Sequence, residues 1–442
     1  MNQKAETIVI RSDILVDGTP GEPLEDVGIL IEKDRITRVD TWNKGGPWPQ
    51  GDDILQIRTR ASIPGLINIH VHLIDNDDLR DYLHSGVTAI RDVGTHSGLQ
   101  FDRSLIQIKK EIDKGERFGP RISSYGSIID GPRSALPQLT VSVSNKKDAI
   151  EEVDRQVAAG VDGIKLYWKL SPQLAKVIIA RAKEHNMPVA GHIGMLIGGV
   201  EGGRMGIDTI EHLISFVRDL FPAFVRATIA PLMRVGALDD VSKGLDRLFE
   251  IWRKVDPESK RMIRLAEEFL ATGAVFHPTT IALERMTKMG DLAKTDDPRM
   301  RKKMTSEHFR ELCDKIIPKK WNENLSRLGK EGLEGMLRFI GRMYRSGVPI
   351  GVGTDDSIPY VFAGESMHEE MAFLVRAGIP PIEVIRMATA RNAKTLRRED
   401  LGIIASGKTA DIVLLDQNPC EDIAAAREIG YVIKGGEIVY AP

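Results

Sequence analysis

The segment from Pro64 to Leu73 reads P-G-L-I-N-I-H-V-H-L and carries two histidines near the end of an apolar run. Successive side chains of a β-strand alternate between its two faces, so His70 and His72 share one face. Two imidazoles side by side at the end of a buried strand can act as neighbouring ligands of a metal ion. The same H-x-H pattern also fits two polar residues at the mouth of a barrel, so it needs support from elsewhere in the chain.

The region that follows alternates short apolar segments with longer helical stretches. Asn145 precedes a helix that runs to Ala159, and Ser171-Pro172 begins another that runs to about Asn186. This alternation predicts an α/β fold, a TIM (β/α)8 barrel, with its active site at the carboxyl ends of the strands. The eight predicted strands are Ile63–His72, Val87–Val93, Arg121–Tyr125, Gly163–Tyr167, Pro188–His192, Thr209–His212, Ala274–His277 and Pro349–Gly353.

Short β-branched segments flank this region on both sides. They cover residues 7–40, 410–416 and 431–440, and the last reads as a hairpin that turns at Gly435-Gly436. We predict that both ends of the chain form one small composite β-sandwich domain. The expected domains are therefore 1–62 and 399–442 for the two parts of the β domain and 63–398 for the barrel. The long helical segments 216–270 and 280–345 are expected to form a lid or an oligomer surface.

Other ionisable residues stand where predicted strands give way to loops. His192, His212 and Asp355 each end an apolar segment, and Lys165 lies inside the strand G-I-K-L-Y. Burial lowers the pKa of a lysine, and a neutral amine can take up carbon dioxide to form an anionic carbamate. Taken singly, each histidine fits a core residue, Lys165 a buried ion pair and Asp355 a turn cap. Together with His70 and His72, they favour a shared metal site.

Composition excludes several classes of protein. The 442 residues contain 61 Lys+Arg and 63 Asp+Glu, a formal charge of -2, which argues against nucleic-acid and polybasic membrane binding. Only Cys313 and Cys420 are present, too few for a disulfide framework or a cysteine-rich zinc site. We expect a cytoplasmic enzyme with a small-molecule substrate, no nucleic-acid or membrane partner, and assembly into a homo-oligomer.

The quoted motifs resemble those of the amidohydrolase superfamily, and within it the imidazolonepropionase-like and prolidase-like (Xaa-Pro dipeptidase-type) branch. The resemblance covers nearly the whole chain and extends beyond Pro64–Leu73. Its further motifs are S-G-V-T-A-I-R-D-V-G from Ser85, G-I-D-T-I-E-H from Gly206, S-G-V-P-I-G-V-G-T-D from Ser346, A-T-A-R-N-A-K from Ala388 and G-K-T-A-D-I-V-L-L-D from Gly407.

The resemblance implies two divalent metal ions, zinc by default and manganese or cobalt as alternatives. Six ligands would hold them: His70, His72 and Asp355 for the first ion, His192 and His212 for the second, and a carbamate on Lys165 between them. It also implies that a hydroxide shared by the ions attacks a carbonyl carbon. Asp355 would be the catalytic residue that takes up the proton and passes it to the leaving amine.

The resemblance favours hydrolysis of an amide bond in a dipeptide, an N-acyl amino acid or a cyclic amide. Esters, lactones, carbamates and organophosphates are the main alternative, because the same nucleophile attacks each of them. Mononuclear deaminases of the superfamily carry a glutamate three residues after the histidine of strand 5, where this chain has Met195. This difference and the presence of Lys165 make deamination less favoured, and the presence of all six ligands makes a non-catalytic barrel less favoured.

Three further residues are candidate substrate contacts. His96 follows the second predicted strand, His277 ends the seventh, and Tyr167 shares a strand face with Lys165. Each also fits a structural or solvated role. The segment G-S-I-I-D-G-P-R-S after strand 3 departs from the glycine- and histidine-rich turn of familiar members, which leaves the substrate open.

Overall fold

A computed structural model describes most of the chain. The described residues are 6–73, 78–94, 99–132, 134, 137, 139–194, 196–220, 245–306, 309–310, 313, 323–356 and 358–441. Their strands are β1 (Thr7–Leu15), β2 (Leu24–Glu32), β3 (Arg35–Thr41), β4 (Ile54–Pro64), β5 (Leu66–Val71), β6 (Val87–Asp92), β7 (Arg121–Ser124), β8 (Ile128–Asp130), β9 (Thr140–Ser142), β10 (Ile164–Leu166), β11 (Val189–Gly191), β12 (Thr209–Glu211), β13 (Val275–His277), β14 (Ile412–Leu415), β15 (Ile429–Lys434) and β16 (Glu437–Tyr440).

Helices fill most of the connections between the central strands. They are α1 (Asp78–His84), α2 (Leu99–Asp113), α3 (Lys146–Ala159), α4 (Pro172–Glu184), α5 (Gly199–Met205), α6 (Val217–Leu220), α7 (Leu245–Arg253), α8 (Lys260–Leu270), α9 (Thr280–Leu292), α10 (Pro298–Lys303), α11 (Glu323–Arg345), α12 (Glu365–Arg376), α13 (Pro381–Arg386) and α14 (Asn392–Thr395). Among the described residues, no helix combines the length and apolarity needed to cross a bilayer.

The two helix starts predicted from the sequence are confirmed. Asn145 accepts a hydrogen bond from the backbone N–H of Asp148 (3.0 Å) at the start of α3. Ser171 accepts one from the N–H of Leu174 (3.2 Å) at the start of α4, and Pro172 occupies the first helical position. These side chains satisfy backbone donors that have no partner within the first helical turn.

Strands from both ends of the chain pair in one seven-stranded sheet, in the order β16-β15-β14-β4-β1-β2-β3. β4 is the link, since it runs parallel to β1 and antiparallel to β14. No strand was predicted for most of β4, and Ile63 and Pro64 were predicted to begin the first barrel strand. The pairing of both ends and the turn at Gly435-Gly436 agree with expectation, but in the described residues the strands form a single sheet.

The central strands are parallel and form two more sheets, β5-β6-β7 and β13-β12-β11-β10-β8-β9. The strands with the helices between them make an α/β fold. The third predicted strand, Arg121–Tyr125, corresponds to β7, and a short break at Tyr125–Ser127 separates it from β8; Gly126 in the break has a positive φ of 60°. β8 and β9 were not predicted.

The eighth predicted strand, Pro349–Gly353, is reduced to one parallel bridge between Ile350 and Phe276. Backbone hydrogen bonds nevertheless join this segment to both neighbours, from Gly351 N to Phe276 O (3.0 Å) and from Ile69 N to Val352 O (3.2 Å). A Cβ atom at position 353 would lie 2.9 Å from the backbone nitrogen of His70, so only glycine permits this approach. The segment carries Asp355 directly to His70.

Candidate metal centre

The carboxyl ends of the parallel strands bring histidines and one aspartate into a compact group. One potential ligand atom from each of His70, His212 and Asp355 lies within 4.8 Å of the others. His72 joins them, because its Nε2 lies 3.2 Å from Asp355 Oδ1. The ring of His192 lies 4.2 Å from that of His212, measured between centroids. Five of the six predicted ligands therefore form one group, in which His70, His72 and His212 surround Asp355 and His192 lies beside His212.

An oxygen atom in contact with Nδ1 fixes the ring orientation of three of the histidines. The Nδ1 atom of His70 contacts Glu211 Oε2 (2.6 Å), and that of His72 contacts the carbonyl oxygen of Gly94. The Nδ1 atom of His212 contacts Thr279 Oγ1 (2.6 Å), whose hydroxyl donates to Pro278 O. All three oxygens act as acceptors here, so each Nδ1 carries a proton. In the neutral rings of His70 and His212 this leaves the lone pair on Nε2, whereas Nε2 of His72 faces the carboxylate of Asp355.

Burial keeps most of these rings neutral. Burial, together with the nearby ammonium group of Lys165, lowers the pKa of His70 to about 3 and that of His192 to about 3. The pKa of His212 also falls well below its usual value, through burial and the neighbouring rings of His192 and His70. His72 differs: its pKa is raised, because the bond to Asp355 outweighs burial. Neutral imidazoles are the form that binds metal ions.

Asp355 is held as an anion in a strained backbone conformation. Burial opposes its ionisation, but the bond from His72 and the rings of His212 and His70 hold its pKa well below its usual value. Its φ is 60°, and His212 and Thr279 also have positive φ values, of 64° and 46°. Such conformations cost roughly 1–3 kcal/mol each and cluster at functional sites.

Lys165 lies on β10 with only 1% of its surface exposed. Burial lowers its pKa to about 8, although the carboxylate of Glu211 opposes the shift. Its Nζ atom has no hydrogen-bond partner among the residues that the structure describes, and the same holds for His70 Nε2. Buried nitrogens without partners are rare in folded proteins, and these two fit the ligand set of a metal ion with a modified lysine.

A second group of charged side chains lies beside these ligands and was missed from the sequence. Glu211 and Arg91 are both fully buried and form an ion pair of 2.7 Å between Oε1 and Nη2. The sequence did contain an indication that Arg91 and Glu211 are functional, because each is a charged residue inside an apolar strand, in A-I-R-D-V and T-I-E-H. The same criterion had singled out Lys165.

The three candidate substrate contacts have different surroundings. His277 is fully buried, and its Nδ1 lies 3.0 Å from Glu211 Oε2, deeper than expected for a substrate contact. The ring of Tyr167 lies 4.6 Å from that of His192, edge to face, and burial raises the pKa of its phenol. His96 lies outside the described residues. Substrate contact by any of the three stays a prediction.

A sequence profile of the amidohydrolase family matches residues 62–439. The chain belongs to the amidohydrolase family. It is a hydrolase that acts on carbon–nitrogen bonds by metal-dependent hydrolysis, as the motifs predicted.

Several relatives match over nearly the full length of the chain. Ochratoxinase of Aspergillus niger is 22% identical, over 99% of this chain and 88% of its own. Its crystal structure superposes with a TM-score of 0.69, at 18% identity, covering 100% of this chain and 97% of that one.

A Xaa-Pro dipeptidase with methionine bound in its active site gives a TM-score of 0.70 at 21% identity, covering 99% and 100% of the two chains. The bottromycin amidohydrolase gives 0.72 at 21% identity, covering 99% and 87%. At these identities the structural similarity shows the fold alone.

Proposed function

We propose that the protein hydrolyses an amide bond of a small molecule, in a dipeptide, an N-acyl amino acid or a cyclic amide. The observation that carries this proposal is the carboxylate of Asp355 within reach of His70, His72 and His212, beside a buried lysine whose amine has no partner among the described residues. Ochratoxinase, the Xaa-Pro dipeptidase and the bottromycin amidohydrolase, all similar in fold, support this substrate class.

Two divalent ions, zinc by default, would be held by the residues that the sequence analysis named. His70, His72 and Asp355 would hold one, His192 and His212 the other, and a carbamate on Lys165 would bridge them. When bound, such ions lower the pKa of water and polarise a carbonyl group. The lowered pKa of Lys165 supports the carbamate, because only the neutral amine reacts with carbon dioxide.

Asp355 would move the proton. Its carboxylate can accept the proton of the water that attacks the amide carbon, and it can donate that proton to the nitrogen as the C–N bond breaks. His72 holds the carboxylate in place through the contact at Oδ1. Water thus adds its hydroxyl group to the carbon and one proton to the amine nitrogen as the C–N bond breaks, and no other reactant is needed.

The finer architecture also belongs to the proposal. The hydrogen bonds of Gly351 and Ile69 across the segment 349–353 support a closed (β/α)8 barrel over residues 63–398. Residues 1–62 and 399–442 would form the composite β domain. We further propose a cytoplasmic homo-oligomer, with residues 216–270 and 280–345 as its interface or as a lid.

Metal analysis of the purified protein and of Lys165→Ala tests the site. We expect about two divalent ions per wild-type chain, and in the variant both a loss of activity and a loss of the second ion. Added short carboxylic acids should restore part of the activity, because they can replace the carbamate. Full activity of the variant without them would contradict the carbamate.

A panel of dipeptides, N-acyl amino acids, lactones and aryl esters tests the substrate class. We expect turnover of amides, with the highest kcat/KM for one of the first two groups. A preference for lactones or esters over every amide would favour the alternative hydrolase.

A further inference from the structure

Four polar side chains lie within hydrogen-bond distance of the buried carboxylate of Glu211. Its Oε2 contacts His70 Nδ1 (2.6 Å) and His277 Nδ1 (3.0 Å), and its Oε1 contacts Arg91 Nη2 (2.7 Å) and Thr209 Oγ1 (2.6 Å). A carboxylate accepts about four hydrogen bonds, so this one is saturated.

We propose that Glu211 is a positioning residue of the metal centre, which fixes His70 in the form that presents an unprotonated Nε2 to the ions. The inference rests on the proposed metal-dependent function. Glu211 is not itself one of the proposed metal ligands. It acts through His70, whose Nε2 lies 3.7 Å from Asp355 Oδ1 on the side away from Glu211.

The chemistry of the neighbours allows only one proton arrangement at His70. A carboxylate only accepts, so the short contact to Nδ1 requires the proton on that nitrogen. A neutral imidazole then has its lone pair on Nε2, which finds no hydrogen-bond partner in the described part of the chain. A metal-binding histidine commonly donates its other ring N–H to a carboxylate or carbonyl in this way.

Arg91 gives Glu211 its orientation. Besides pairing with Glu211, the guanidinium donates from Nε to the carbonyl oxygen of Ile69 (2.6 Å) and from Nη1 to Thr209 (3.1 Å). It also lies over the ring of Tyr125, at 4.8 Å. These contacts on neighbouring strands hold the carboxylate so that Oε2 faces His70.

The side-chain amide of a Glu211→Gln variant would invert this arrangement. The amide oxygen would turn to the cationic Arg91, because a hydrogen bond to a charged donor is the stronger one. The NH2 group would then face His70 and require an unprotonated Nδ1. The proton would move to Nε2, where it blocks metal binding. A Glu211→Asp variant keeps an acceptor-only group and favours the original form.

The test measures Zn²⁺ affinity of metal-free protein by competition with a chromogenic chelator. We expect Glu211→Gln to lose about 10- to 100-fold in affinity at one site, and Glu211→Asp to lose less. If Glu211 served packing alone, the isosteric Gln would be the milder change and the order would reverse. Glu152→Gln is the matched control, a buried carboxylate on α3 that accepts from Arg155 and Gln156, and its affinity should equal that of the wild type.

The outcomes separate the two proposals. A wild-type protein that binds no divalent ion contradicts the proposed function. A wild-type protein that binds zinc with an affinity that Glu211→Gln retains contradicts the role of Glu211 alone. If the Gln variant does not fold, ¹⁵N NMR of the metal-free wild type with labelled histidine decides. We expect the His70 proton on Nδ1, and a proton on Nε2 would overturn the inference.

Discussion

The core of the seven-stranded sheet and the interior of the parallel strands are equally buried but chemically opposite. The hydrophobic cluster of the sheet is built from aliphatic side chains: Ile8, Ile10, Leu15, Val27, Ile29, Ile31, Ile36, Ile57, Ile404, Ala410, Ile412, Leu414, Ile433 and Ile438. The described parallel strands hold ionisable side chains that are at most 1% exposed, among them His70, Arg91, Asp92, Asp130, Lys165, Glu211 and His277.

The difference teaches that stability and chemistry are separated in this chain. Burying an aliphatic side chain stabilises the fold by about 1.5–3 kcal/mol. Burying an ion costs several kcal/mol, and pairing such as that of Arg91 with Glu211 often does no more than offset this cost. The reaction therefore explains the buried charges of the parallel strands better than stability does, whereas the aliphatic cluster of the sheet contributes stability alone.

Among variants that distinguish the two regions, Asp355→Asn is expected to have the largest effect, and the effect is on kcat. The amide cannot take up a proton from water, so kcat should fall about 10³-fold, within the range for loss of general acid–base catalysis. Steady-state kinetics against the best amide substrate would measure it. If the variant kept more than a tenth of the wild-type kcat, Asp355 would not be the residue that transfers the proton.

The opposite behaviour is expected for Ile10→Ala in the middle of β1. The cavity in a fully aliphatic core should lower the free energy of unfolding by about 4 kcal/mol, with kcat of the folded fraction unchanged. Urea denaturation and kinetics on the same preparation would measure both. Ile10→Val is the matched control, with an expected loss of about 1 kcal/mol. A selective drop in kcat would show that the two regions are coupled.

A smaller, pH-dependent effect is expected for Glu370 on α12. Its oxygens accept from the backbone N–H groups of Thr280 (3.0 Å) and Ile281 (2.7 Å) at the start of α9. Burial raises the pKa of Glu370 to about 7, although these bonds oppose the shift. Because the folded pKa exceeds the unfolded one, the neutral acid stabilises the fold below pH ~4.5.

This contribution is lost as the pH rises through about 7. Relative to Glu370→Gln, the wild type should lose about 3 kcal/mol of unfolding free energy between pH 4.5 and 8. Urea denaturation of both proteins across this range measures it. Parallel pH profiles for the two proteins would show that Glu370 keeps an ordinary pKa in the folded state.

Much of the fold could be predicted because its signals are local. Ser171-Pro172 marks a helix start through one cap and one proline, and the short β-branched segments at both ends pair as expected. The extent of the eighth strand could not be predicted. The segment Pro349–Gly353 forms a single β-bridge because of its contacts with His70 and Phe276, which are distant in sequence.

The candidate site shows the same division. His70, His72 and Asp355 could be found because strand alternation and strand ends are visible in the sequence. Glu211 and Arg91 could have been found as charged residues inside apolar strands, which is how Lys165 was found. Their contacts with each other and with His70 could not be predicted, because these residues lie on three different strands that meet only in the folded protein. The role of Thr279 depends on a contact across 67 positions, which no local pattern encodes.

The pairing of β4 with β14 also has a consequence for the order of events during synthesis. β4 leads through Gly65 into β5, the strand that carries His70, yet its partner lies about 350 positions later in the chain. On the ribosome, at about 5–20 residues per second, β4 would wait roughly 20 to 70 seconds for that partner. During this time its open edge can pair with another chain. Nascent chains that stall before residue 412 should therefore depend on chaperones more than finished ones.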